Sequence, residues 1–124
     1  MVTGFGAVVL VTHDADRMAA FYRMVLGFAL EPQIHEGAVL LHYNCELGGT
    51  TFSIHPVENW RQSPETGPGG TRLVFNTDDL DGHVALLRER QIKFTGPIDL
   101  ASGRMVFLRD PDGNLIDLMQ APAC

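Results

Sequence analysis

The chain repeats itself. Residues 7–28 read AVVLVTHDADRMAAFYRMVLGF, and residues 72–94 read RLVFNTDDLDGHVALLRERQIKF. Each segment is a short apolar strand, an Asp-capped turn and an amphipathic helix. A shift of 65 residues superposes Asp14 on Asp79, Asp16 on Asp81, Phe21 and Tyr22 on Leu86 and Leu87, and Pro32 on Pro97. A repeat of this length requires two similar supersecondary units stacked side by side. Two alike halves build a cleft, and clefts are where small molecules bind.

Local patterning fills in the plan. Residues 5–12 are rich in β-branched side chains and read as a buried strand. Asp14 then serves as a helix N-cap, and Met18, Phe21, Tyr22, Val25 and Leu26 recur on one helical face until Gly27 stops the helix. Residues 29–33, 38–43 and 50–56 read as strands, with turns at residues 35–37 and 46–49. In the second half, residues 72–76 form a strand. Asp78 or Asp79 caps a helix carrying Leu80, Val84 and Leu87, and Gly96-Pro97 turns the chain. Residues 103–109 and 114–120 are strands joined by Asp110-Pro111-Asp112-Gly113, a turn in which Pro fixes φ and Gly supplies positive φ. The expected order is βαβββ, twice.

Composition excludes several classes of partner. The formal net charge is −6 with nine Lys and Arg, too few basic side chains for a phosphate-binding patch, so no nucleic-acid partner is expected. The acidic balance favours neutral or cationic small molecules. No apolar run approaches the roughly 18 residues of a membrane span, so no membrane partner is expected. The N-terminus lacks a basic n-region and a small-residue cleavage site, so no signal peptide is read. Cys45, expected in a turn, and Cys124, the last residue, do not make a disulfide framework. A cytoplasmic setting follows as the default.

With this order, AFYRMVLGF at residues 20–28 and FLRDPDGNLIDL at residues 107–118, the chain resembles the vicinal oxygen chelate superfamily. That superfamily includes glyoxalase I, bleomycin-resistance and fosfomycin-resistance proteins, and extradiol dioxygenases. The resemblance covers about residues 5–120. It implies an α+β fold in which two βαβββ modules form a curled, cup-shaped mixed sheet with the helices outside and a ligand inside. It also implies a homodimer. The modules are expected at residues 1–58 and 71–124, joined by a linker at 59–70 (NWRQSPETGPGG).

In metal-using members, four side chains point into the cup. The resemblance carries those positions onto Ala7, Ser53, Arg72 and Asp117. Of these, only Asp117 is of a type that could ligate a metal in the family's manner. Alanine has no donor, serine is a weak ligand and arginine stays protonated. A divalent ion needs several His, Asp, Glu or Cys donors. The expectation is therefore that the family metal is lost and that no cofactor is bound.

Strand alternation groups the remaining candidates. Ala7, Val9 and Val11 share a face, as do Ser53 and His55, then Arg72, Val74 and Asn76, then Leu115, Asp117 and Met119. The candidate ligand-binding set is Ser53, His55, Arg72, Asp117 and His42, with His55 as the candidate general base. Arg72 either binds a carboxylate or phosphate on a ligand or forms an internal salt bridge with Asp117. His13 and His35 lie in turns, and Cys45 has no adjacent His or Lys to activate it.

Three functions compete. One is a metal-free small-molecule binder of the drug-sequestering type. Another is a metal-dependent lyase or dioxygenase with an atypical ligand set, including a displaced site of His42, His55 and Asp117. The last is a metal-free enzyme using His55, with Arg72 as an electrostatic stabiliser.

Overall fold

Both helices begin at the aspartates that the repeat superposes. The computed structural model describes residues 1, 3, 7–34, 41–60, 71–100 and 103–122, the side chains of residues 59 and 60 excepted. Asp14 caps helix α1 (Ala15–Leu26) by accepting a hydrogen bond from the Arg17 amide at 3.1 Å. Asp79 caps helix α2 (Leu80–Glu89) by accepting from the Gly82 amide at 3.0 Å. Each cap satisfies an amide that a helix start otherwise leaves without a partner. Asp16 and Asp81 add negative charge to the first turns, where the helix dipole favours it. Helix α1 stops at Gly27, whose φ of +74° costs a glycine little.

The chain divides into two compact units, Met1–Gly69 and Gly70–Cys124. The first contains strands β1 (Ala7–Thr12), β2 (Glu31–Gln33), β3 (His42–Leu47) and β4 (Thr50–Pro56), followed by a short 3₁₀ turn at Val57–Trp60. The second contains β5 (Arg72–Asn76), β6 (Thr95–Leu100), β7 (Gly103–Arg109) and β8 (Leu115–Gln120). Each unit is thus βαβββ, and each sheet is four-stranded and mixed, ordered β1-β4-β3-β2 and β5-β8-β7-β6. The first and last strands of each unit pair in parallel, and the other pairs are antiparallel.

One face of each sheet carries the helix. Helix α1 buries Met18, Ala19, Tyr22 and Val25, and the first unit's sheet buries Leu10, Tyr43, Phe52 and Ile54. Tyr22 and Phe28 lie 5.1 and 5.2 Å from the Phe52 ring, centroid to centroid. Helix α2 buries Leu80, Val84 and Leu87, and its sheet buries Val106, Leu108, Ile116 and Leu118. Each large side chain contributes roughly 1.5–3 kcal/mol relative to exposure.

Three local expectations need correction. Gly96-Pro97 does not end a segment; it lies inside β6, where the pairing with β7 shifts register between Thr95 and Ile98. β6 is an outer strand of its sheet, so a proline without an N–H breaks no ladder there. A Cβ on Gly96 would meet the Met105 carbonyl oxygen at 2.7 Å, so this close approach needs glycine. Cys45 is in strand β3, which runs on to Leu47 rather than ending at Tyr43. The turn that follows is only Gly48-Gly49, with φ of +54° and +86°, the conformation a two-residue hairpin demands. The expected linker from residue 61 onward, residues 38–40 and His35 lie outside the described residues.

Candidate functional site

The face opposite each helix carries the candidate residues. In the second unit, Asp117 sits on β8, an inner strand flanked by β5 and β7. Val74 stands opposite it on one side and Phe107 on the other. Cover from both neighbours leaves the Asp117 side chain only 2 % exposed. Arg72 reaches it diagonally, from opposite Leu115. Its Nε and Nη2 both donate to Asp117 Oδ2, at 2.9 and 2.7 Å. The Arg72 side chain remains 57 % exposed, and its guanidinium carbon lies 5.8 Å from the centre of the Phe107 ring. The other carboxylate oxygen, Oδ1, is buried and has no hydrogen-bond partner among the described residues. The internal salt bridge open to the sequence is therefore formed, through one oxygen only.

In the first unit, Ser53 is buried on β4 and donates to Asn44 Oδ1 at 2.5 Å. Asn44 in turn donates to Gln33 Oε1 at 3.1 Å. The hydroxyl expected to point at a ligand is thus the start of a hydrogen-bonded row across β4, β3 and β2. His55 and His42 stack, with ring centroids 4.1 Å apart and planes inclined by 14°. His42 is buried, and His55 is half-buried. Ala7 is exposed at the start of β1, opposite Thr51. Among the described residues, no group of three or more His, Cys, Asp or Glu side chains is arranged to hold a metal ion.

An open cleft of about 330 Å³ lies along the same row, lined by Ala29, Glu31, Gln33, Asn44, Cys45, Glu46 and Thr51. None of the residues singled out from the sequence as ligand-binding lines it. The signal was available in Glu31 and Gln33 on β2 and in Asn44 and Glu46 on β3. These are polar residues at a spacing of two, placed by the register on one face. Thr51 donates to Glu46 at 2.7 Å across the hairpin.

Tyr43 and Cys45 depart from their ordinary behaviour. The Tyr43 hydroxyl donates a short hydrogen bond to Asp16, and that bond, with burial and the carboxylate charge, pushes its pKa up. Burial, with the Glu46 charge behind it, pushes the Cys45 thiol up, which keeps it protonated and a poor nucleophile. No helix among the described residues is long and apolar enough to cross a membrane.

The arrangement has relatives. The chain is similar to TnmS3, an antibiotic binding protein from Streptomyces sp. CB03234, with 28 % identity over 98 % of both chains and a TM-score of 0.78. It is 27 % identical over 122 residues to the Escherichia coli K12 protein YaeR, covering 91 % of this chain and 92 % of that one. A Salmonella typhimurium virulence protein, STM3117, shares the fold at 23 % identity, over 98 % and 99 % of the two chains, with a TM-score of 0.81. The turn that delivers Asp117 and all but the last two residues of the repeated βαβββ plan fall within residues 4–118, the span matched by the family model of the Glyoxalase/Bleomycin resistance protein/Dioxygenase superfamily, to which this chain belongs.

Proposed function

We propose that the protein binds a small organic molecule on the faces of its sheets opposite the helices, without the metal that some superfamily members use. One observation carries this reading: the Arg72 guanidinium bonds to Asp117 where the resemblance places two metal ligands. A fixed cation on the only carboxylate of the quartet opposes a divalent ion at that position. The other two positions, Ala7 and Ser53, supply no strong donor, and the Ser53 hydroxyl is already engaged with Asn44. These residues do not fit the family's metal. The antibiotic-binding relative supports a sequestering role, which needs a shaped surface and a few polar groups rather than a Lewis acid.

The reading extends to a cytoplasmic homodimer without nucleic-acid partners. Each sheet has two outer strands whose edges need cover, and self-association supplies it. Elemental analysis after incubation with Zn²⁺, Ni²⁺, Mn²⁺ and Fe²⁺, followed by dialysis, tests the metal-free reading. The expected result is no stoichiometric ion. One tightly held ion per chain, lost in Asp117→Ala, would return the metal-dependent lyase or dioxygenase reading. Sedimentation velocity at micromolar concentration is expected to show a dimer, and a 13.6 kDa species throughout would remove that part.

A further inference from the structure

The cleft along β2, β3 and β4 says what kind of ligand the first unit would take. Resting on the small-molecule reading above, we infer that this cleft takes a polar organic cation, a protonated amine on a hydroxylated skeleton such as an amino sugar presents.

Three observations lead there. First, the cleft is open and measures about 330 Å³. That is the lower end of the roughly 300–1,000 Å³ of ligand pockets, so a compact molecule touches its walls. Second, the charge in it is of one sign. Glu31 and Glu46 line the cleft, and no Lys or Arg among the described residues does. Asn44 stands opposite Glu31, and Glu46 lies two residues further along β3. The two carboxylates are therefore diagonal neighbours on one face, on residues about 7–8 Å apart. Neither is in an ion pair among the described residues. Glu46 Oε1 accepts from the Thr51 hydroxyl at 2.7 Å, which leaves Oε2 for a ligand. An ammonium between the two is attracted by both, and an anion is repelled by both. Third, no aromatic or large aliphatic side chain lines the cleft among the described residues. An apolar ligand gains little there, whereas a hydroxylated one meets a donor. Ser53 donates to Asn44, and Asn44 donates to Gln33 Oε1, so the row ends on the Gln33 amide nitrogen. That NH₂ has no acceptor among the described residues and is placed to donate to a ligand hydroxyl.

Three sugars of one ring and different charge test this on the full-length, ¹⁵N-labelled chain by two-dimensional NMR at pH 6.5. Glucosamine is a cation at that pH, N-acetylglucosamine is neutral and glucuronate is an anion. Glucosamine is expected to shift the amide signals of Glu31, Asn44 and Glu46 saturably. Two partly solvated ion pairs should make it bind about fivefold or more tightly than N-acetylglucosamine, with glucuronate weakest. Raising the salt from about 0.02 to about 0.3 M should narrow that preference, because exposed charges are screened. Glu31→Gln and Glu46→Gln are each expected to weaken glucosamine by about two- to fivefold, and the double variant to bind both amino sugars alike. If a variant does not fold, the charge series on the unaltered chain decides alone. Equal binding of glucosamine and N-acetylglucosamine overturns the inference, as does a preference for glucuronate, though either leaves a small-molecule site in the cleft. Silence from all three sugars also overturns it, and so do shifts that spread over the acidic surface without saturating. The elemental analysis above tests the metal-free reading separately.

Discussion

Breaking the Arg72–Asp117 pair from either side is expected to have unequal consequences. The asymmetry follows from exposure, 57 % for the Arg72 side chain and 2 % for Asp117. Arg72→Met leaves a carboxylate buried with neither oxygen bonded. Removing one partner of a fully buried pair costs about 3–5 kcal/mol. Solvent already reaches the arginine and screens the pair, so about 2–4 kcal/mol is expected here. Asp117→Leu leaves the guanidinium behind, but that group is half in water and turns outward at little cost. The leucine also removes an unsatisfied oxygen and places apolar atoms beside Phe107 and Val74. Its expected net effect is within about 1 kcal/mol of zero. The double variant should match Asp117→Leu, recovering most of the loss seen in Arg72→Met. Urea denaturation followed by far-ultraviolet circular dichroism measures all three. Equal, large losses for both single variants would show that the arginine cannot reach solvent. Equal losses near zero would show that the pair is screened and that Asp117 is wetter than its burial implies.

The helix caps should carry measurable weight: Asp14→Ala and Asp79→Ala are each expected to cost about 1 kcal/mol in the same denaturation experiment. Tyr43→Phe removes the hydrogen bond to Asp16 and should cost about 0.5–1.5 kcal/mol at neutral pH. Because the folded-state pKa of Tyr43 lies above its ordinary 10.0, that contribution is complete below pH 10.0 and fades as pH rises through the folded value. The variant and parent curves should converge there, and a constant difference across that range would contradict the assignment. Cys45, with its thiol pKa raised by burial and Glu46, should react with iodoacetamide more slowly at pH 8 than a free cysteine does. Rapid alkylation of the native chain at that residue would refute the protonated, half-buried thiol.

What could be read from the sequence was what depends on local chemistry. Strands β4, β5 and β7 begin and end at the expected residues, because apolar alternation and flanking Gly, Pro and Asn fix them. The apolar stripe Leu80, Val84 and Leu87 is the buried stripe of α2. The errors arose where a tertiary position overrides a local signal. Pro97 reads as a turn in isolation, yet it is accommodated on an outer strand with a bulge. The apolar run ending at Tyr43 reads as the end of a strand, whereas β3 continues over Asn44–Leu47, with Asn44 and Glu46 facing the cleft.

The site divides the same way. Resemblance and alternation brought Arg72 and Asp117 to one place, since both depend only on register. The fate of each carboxylate oxygen depends on more. Asp117 is buried because its strand has a neighbour on both sides, while Arg72 is exposed because its strand is an outer one. Arg72 also stands two residues away from Val74, the residue directly opposite Asp117. An arginine approaching along that diagonal, from the edge of the sheet, places Nε and Nη2 on the nearer oxygen and leaves the farther one to something else. The unsatisfied acceptor is therefore a consequence of putting arginine at this register on an outer strand. It follows that a lysine at position 72 would preserve the charge but not the geometry. Its single ammonium would hold Oδ2 less firmly, without the planar donor pair that fixes the carboxylate's orientation.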